Sequence, residues 1–154
     1  MAQSFSIIPD LVEAIVAAAK GALPMVTVSD GQPTSLEPAD YLAICFNDGG
    51  MAVQSSMDPV NNIGDGIINE SGIIWCLAFS WIGDDDAATA RRRAYQIVDG
   101  LSALCLAEGA TDPAFGVERG MWVVCGQGDV ELDLFPGNGW YAGLKFPLYY
   151  EGRP

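Results

Sequence analysis

Residues Asp84 to Glu108 carry the clearest periodic pattern in the chain. Ala90, Ala94, Ile97, Val98, Leu101, Leu104 and Cys105 recur at steps of three and four, so they share one face of a helix. Arg91, Arg92, Tyr95, Gln96, Asp99 and Ser102 fall on the opposite side. Gly83 and three aspartates precede the pattern, where free backbone N–H groups and the helix dipole favour an acidic acceptor. Gly109 predicts the stop. The run before this helix, Ser71 to Ile82, alternates instead with period two. Ile73, Trp75, Leu77, Phe79 and Trp81 fall on one face, and the smaller Ile74, Cys76, Ala78 and Ser80 on the other. A helix lying on this strand would approach closest over the small face, with the large face as the alternative.

The same reading extends along the chain. Pro9-Asp10 predicts the start of a first helix running to about Ala22, with Asp10 as its cap and Leu11, Ile15, Ala18 and Ala19 as its apolar stripe. Met25 to Ser29 and Tyr41 to Phe46 read as short strands, the second apolar enough to be covered on both faces. Met121 to Cys125 and Val130 to Phe135 read as one strand interrupted at Gly126-Gln127-Gly128. Pro136-Gly137-Asn138-Gly139 is hairpin-turn material, and Trp140 to Tyr150 is the returning strand. Pro147 has no N–H to donate, which predicts an edge position or a kink for that strand.

Asn47 to Glu70 fits neither period. It is rich in Asp, Asn and Gly, and its apolar residues, among them Met51, Met57 and Ile63, do not repeat. So long a segment is rarely plain loop in a compact domain. It either holds a short hairpin or projects as a contact loop over 47–70. The methionines suit an adaptable interface or, equally, core gap-filling. The element order, with runs of strands around two main helices, predicts one α+β domain over 1–154. The expected architecture is a mostly antiparallel sheet with both helices packed on one face.

Charge narrows the functional classes. Twenty acids against 7 bases give a net charge of −13, which argues against binding nucleic-acid backbones or anionic membranes. Histidine is absent, removing the commonest general base and most zinc sites. The four cysteines, Cys45, Cys76, Cys105 and Cys125, form no C-x-x-C pair and sit inside apolar runs. They read as small buried hydrophobes in a reducing compartment. The start of the chain has no basic region followed by a signal-like apolar stretch.

No phosphate loop or nucleophile elbow is present. The stretch from Asp58 to Gly66 lacks the oxygen spacing and closing glutamate of a calcium loop. No enzyme, cofactor or metal site is expected. One charge feature remains. Arg91, Arg92 and Arg93 hold three of the seven positive charges directly after Asp84 to Asp86. They either neutralise those aspartates and neighbouring acids or form a docking point for an acidic surface. Trp140, just after the hairpin turn, is the tryptophan best placed for an interface.

Five stretches together resemble the tail terminator proteins of long-tailed, siphovirus-type bacteriophages, in the branch found in phages of actinobacterial-type hosts. They are PDLVEAIVAAAKGALP, PADYLAICFND, IIWCLAFSWIGD, DDAATARRRAYQIVDGLSAL and PGNGWYAGLKFPLYYEG. The likeness covers most of the chain and rests on pattern, not on a catalytic motif. It implies a homo-oligomeric ring, typically a hexamer, that caps the tail tube, ends its polymerisation and meets the head–tail connector protein. DNA would only pass through the lumen. The implied location is the virion neck, after assembly in the host cytoplasm. Head–tail connector and tail-completion proteins of the same neck are the nearest alternative, and a generic acidic binding domain is the alternative of another class.

Overall fold

A computed structural model describes residues 5–33, 40–47, 49–60, 64, 66–111 and 113–154, with side chains omitted for 108–111 and 113. The order is α1 (Ile8–Ala22), β1 (Thr27–Asp30), β2 (Tyr41–Ile44), β3 (Val53–Pro59), β4 (Ile68–Ile82), α2 (Ala87–Thr111), β5 (Gly120–Cys125), β6 (Glu131–Pro136) and β7 (Trp140–Gly152). A tight turn at Pro113–Gly116, with Ala114 and Phe115 in the left-handed region at φ 53° and 57°, joins α2 to β5. The class is α+β. All seven strands join one sheet, and it is mixed: β1 pairs β2 in parallel, while every other pairing is antiparallel.

The two long strands, β4 and β7, form the axis, pairing from Glu70↔Gly152 to Ile82↔Trp140. β2 and β3 lie end to end along the other edge of β4, and β5 and β6 lie end to end along the other edge of β7. The expectation that β7 is an edge strand is therefore overturned, and the ladder explains how Pro147 is tolerated. Its cross-strand partner is Trp75. The Trp75 N–H donates to the Ala52 carbonyl at 2.9 Å, and its carbonyl accepts from Phe46 N–H at 2.8 Å. Both backbone groups of Trp75 thus point away from β7, so Trp75 and Pro147 form a non-hydrogen-bonded pair. The missing N–H of Pro147 faces the opposite side, where residues 126–130 interrupt the β5–β6 column. No ladder bond is lost.

The sheet's two faces differ sharply. Ile74, Cys76, Ala78 and Ser80 on β4 are fully buried, as are Ala142, Leu144, Phe146, Leu148 and Tyr150 on β7. Most of these residues share one core cluster with Leu11, Ile15 and Ala19 of α1 and with Ala90, Ala94, Ile97 and Leu101 of α2. The alternate row of β4, Ile73 to Trp81, stays half-buried throughout. The small row of β4 is thus the buried one.

Helix boundaries moved for identifiable reasons. α1 begins at Ile8, not at Asp10, and its cap residue Ile7 has no capping side chain of its own. A distant residue, Glu70, accepts the Ile7 N–H at 3.0 Å. α2 is capped as expected: Asp86 accepts the Thr89 N–H at 3.1 Å and the Thr89 hydroxyl at 2.5 Å. It does not stop at Gly109 but continues to Thr111, two residues short of Pro113, whose ring cannot extend a helix.

Residues 47–70 hold a hairpin: β3 pairs with the start of β4 from Val53↔Ile74 to Pro59↔Ile68. The connection is 60–67, closed by the Val60 N–H donating to Ile67. The other hairpin turn, at Gly137 to Gly139, places Gly139 at φ 119°, where an added Cβ would meet the Ile82 carbonyl oxygen at 1.9 Å. Backbone on both sides of that contact leaves nothing to yield. Gly139→Ala is expected to destabilise the domain by about 2–3 kcal/mol, combining left-handed strain with the clash. A urea titration monitoring the midpoint at unchanged slope reads this directly.

Candidate functional site

The odd-numbered sheet face gathers the aromatic side chains that β4 and β7 alternate away from the core. Tyr41 stacks on Phe79 at 4.7 Å between ring centroids, Phe79 lies 5.6 Å from Tyr141, and Tyr141 stacks on Phe135 at 5.1 Å. Phe135 is 44% exposed. Further along, Lys145 places its Nζ 5.0 Å above the Trp75 ring. Among the described residues the indole nitrogen of Trp81 is buried without a hydrogen-bond partner. A shallow depression of about 340 Å³ continues this face between Gln54, Ser71, Ile73, Trp122 and Tyr149.

The three arginines separate into two kinds. Arg93 is half-buried, and its Nη2 lies 2.5 Å from Asp40 Oδ2, with Nε at 3.0 Å. Asp40 also accepts the hydroxyl of buried Ser80 at 2.8 Å. Arg93 is thus a tie between α2, the entry to β2 and the core face of β4. It neutralises an acid, though not one of Asp84 to Asp86. Arg91 and Arg92 are exposed. Arg92 acts on Asp86 through space, but the Thr89 hydrogen bonds are the main cause of that carboxyl's lowered pKa.

Trp140 is half-buried against the core, and its indole N–H donates to Asp85 at 2.9 Å. It belongs with the turn that leads into α2. Met57 stands opposite Glu70 at the other end of β4, and Met51, 59% exposed, precedes β3. Glu70 and Ile82 lie roughly 40 Å apart along an extended strand, so Trp140 and Met57 do not meet in one site. Ile63 lies outside the described residues.

Two features had no motif to announce them. Glu70 is fully buried, accepts hydrogen bonds from Ser6, Ile7 and Tyr150, and through Tyr150 connects to Ser55. Burial pushes the Tyr150 phenol well above its ordinary value, and Glu70 adds to the rise. The second is a groove of about 430 Å³ at the end of the sheet, lined by Ile67, Ile68, Arg119, Met121, Arg153 and Pro154. Its available signal was scarcity, since Arg119 and Arg153 are two of the seven bases.

The thiols are free. Cys76 and Cys105 are buried, while Cys45 and Cys125 are half-buried. Among the described residues no three His, Cys, Asp or Glu side chains are arranged to hold a metal, and no helix is long and apolar enough to cross a membrane. No protein-family model matches the sequence, and no curated protein matches it.

Proposed function

We propose that this chain is a structural virion protein that assembles into a ring of like copies, caps a phage tail tube, ends its polymerisation and presents the tail to the head connector. In this reading both helices back the even-numbered sheet face, and the odd-numbered face is left for contacts. The observation that carries it is that partly uncovered aromatic face on β4 and β7, in an element order that follows the five resembling stretches. Apolar surface of this kind marks a contact site more often than an inert exterior. Exposed Arg91 and Arg92 on an otherwise acidic chain add unlike patches, as a repeated head-to-tail contact requires. A surplus of acids facing the lumen would let DNA pass without adhering.

Electron microscopy of particles made without this chain tests the assignment. Overlong tails are the expected result, since nothing then ends tube growth. Tails of normal length that fail to join heads would replace capping with the connector role.

A further inference from the structure

The groove beside Arg119 and Arg153 is unusual for its charge. The chain carries 20 acids and 7 bases. Yet neither guanidinium forms an ion pair with a carboxylate of any described residue. The backbone fixes both arginines at this place. Arg119 holds a left-handed conformation, φ 67°, and its carbonyl accepts the Arg153 N–H at 2.8 Å. Between them the wall is apolar and open to solvent: Ile67 is 46% exposed, Ile68 40% and Met121 39%. Two exposed arginines set side by side next to apolar side chains suit a segment with acids on either side of an apolar residue.

The chain presents such a segment on its own surface. Asp129 and Val130 lie where the β5–β6 column is interrupted opposite Pro147, and Glu131 follows as the first residue of β6, opposite Lys145. All three are exposed, with Val130 at 44%. The left-handed glycines Gly126 and Gly128 lead into it, and the Gly128 position lies against the Tyr149 ring, which pins the base of the segment. The groove opens at the Gly120 end of β5, whereas this segment follows the Cys125 end. The two patches are unlike and lie at different places, so joining them links one copy to the next with both patches used again, as in a ring or filament.

We propose that the Arg119–Arg153 groove receives the Asp129–Val130–Glu131 segment of a second copy. Val130 enters the apolar wall, and the two carboxylates meet the two guanidiniums. Closure into a ring rests on the function proposed above, but the contact itself does not.

The test uses the full chain and two charge-reversed variants. One carries Arg119→Glu with Arg153→Glu, and the other carries Asp129→Arg with Glu131→Arg. All four positions are exposed, and circular dichroism checks that each variant folds. Sedimentation at low salt should show the wild-type chain assembling, and each variant weakened by about 100-fold or more, as like charges replace unlike ones. An equimolar mixture of the two variants should regain association, because each supplies the sign the other lacks. Rising salt should weaken wild-type assembly.

A wild-type chain that stays monomeric at its highest soluble concentration overturns the contact. So do variants that assemble as well as wild type. Assembly lost on Arg91→Glu with Arg92→Glu but kept in the Arg119 and Arg153 variant would move the contact to α2 and overturn it as well. These outcomes are independent of the tail-length result. Copies that join by this groove yet leave tails of normal length sustain the contact and remove the capping role.

Discussion

Replacing Glu70 with alanine is expected to lower the melting temperature by about 10 °C, corresponding to a loss of about 3 kcal/mol in a domain of this size. The carboxyl group is fully buried and has three donors: the Ser6 hydroxyl at 2.5 Å, the Ile7 N–H at 3.0 Å and the Tyr150 hydroxyl at 3.1 Å. Removing it strands the Ile7 N–H, a buried unpaired group of the kind that costs about 1–3 kcal/mol, and takes one hydrogen bond each from the Ser6 and Tyr150 hydroxyls, of which Tyr150 keeps Ser55. The loss also falls on helix formation. Ile7 is the cap residue of α1 and has no side-chain acceptor of its own, and Ser6 in turn accepts the Ile8 N–H at 3.0 Å. Glu70 therefore does for α1 what Asp86 does for α2, but from the start of β4.

Glu70→Gln should cost much less. Its remaining oxygen can face the Ile7 N–H, which cannot turn, while the Ser6 and Tyr150 hydroxyls can rotate to accept from the new amide. Thermal denaturation followed by circular dichroism separates the two variants, and hydrogen exchange at the first turn of α1 should quicken in the alanine form. Equal melting temperatures for wild type and the alanine variant would remove Glu70 from this role.

That contrast between the two helix caps marks the limit of what the sequence revealed. Asp86 was legible because its partner, Thr89, is three residues away, and local geometry dictates which groups meet. Glu70 caps a helix 63 residues earlier, a relation that only the folded sheet creates. The same division runs through the strands. β4 announced both its faces by strict alternation, and the structure buries the small row and leaves the large row half-exposed. β3, with the sequence VQSSMDP, shows no apolar alternation because it is an outer strand paired only with β4, mostly exposed to water. Pro147 misled for a related reason. Proline excludes a ladder bond on one side only, and its pairing with Trp75 turns that side toward the break in the column.

The surfaces divide in the same way. Arg91 to Arg93 read as one cluster because they are adjacent in sequence, but consecutive helical positions point in different directions. The fold uses Arg93 internally, against Asp40. Arg119 and Arg153 are far apart in sequence and become neighbours only because the end of β7 runs beside the start of β5. Scarcity of positive charge identified the first group, and pairing geometry was needed for the second.

Raising the pH above 9 is expected to unfold the domain steeply while leaving it unchanged between neutrality and pH 8. Burial holds the Cys76 thiol well above its ordinary value of 9.0, and it holds Cys105 at about 12 and Cys125 at about 11. An unfolded chain gives up those protons near pH 9, whereas the folded chain keeps them. Stability is therefore fully present below pH 9 and falls as the pH rises, through 11 for Cys125 and 12 for Cys105. Each thiol contributes a slope of about 1.4 kcal/mol per pH unit within its window, so the three together reach roughly 4 kcal/mol per unit. Above pH 10 the buried Tyr150 phenol adds in the same direction.

Unfolding free energies from urea titrations at successive pH values measure the slope. Cys105→Ala should flatten it by about one thiol's share, whatever the variant's absolute stability. Thiolate absorbance appearing at pH 9 while the fold is intact would show that burial does not hold these protons, and would leave alkaline unfolding to other groups. The same burial predicts that a thiol reagent at pH 8 modifies Cys76 and Cys105 only as fast as the domain opens, because the reactive species is the thiolate. Urea should then accelerate the modification in step with unfolding.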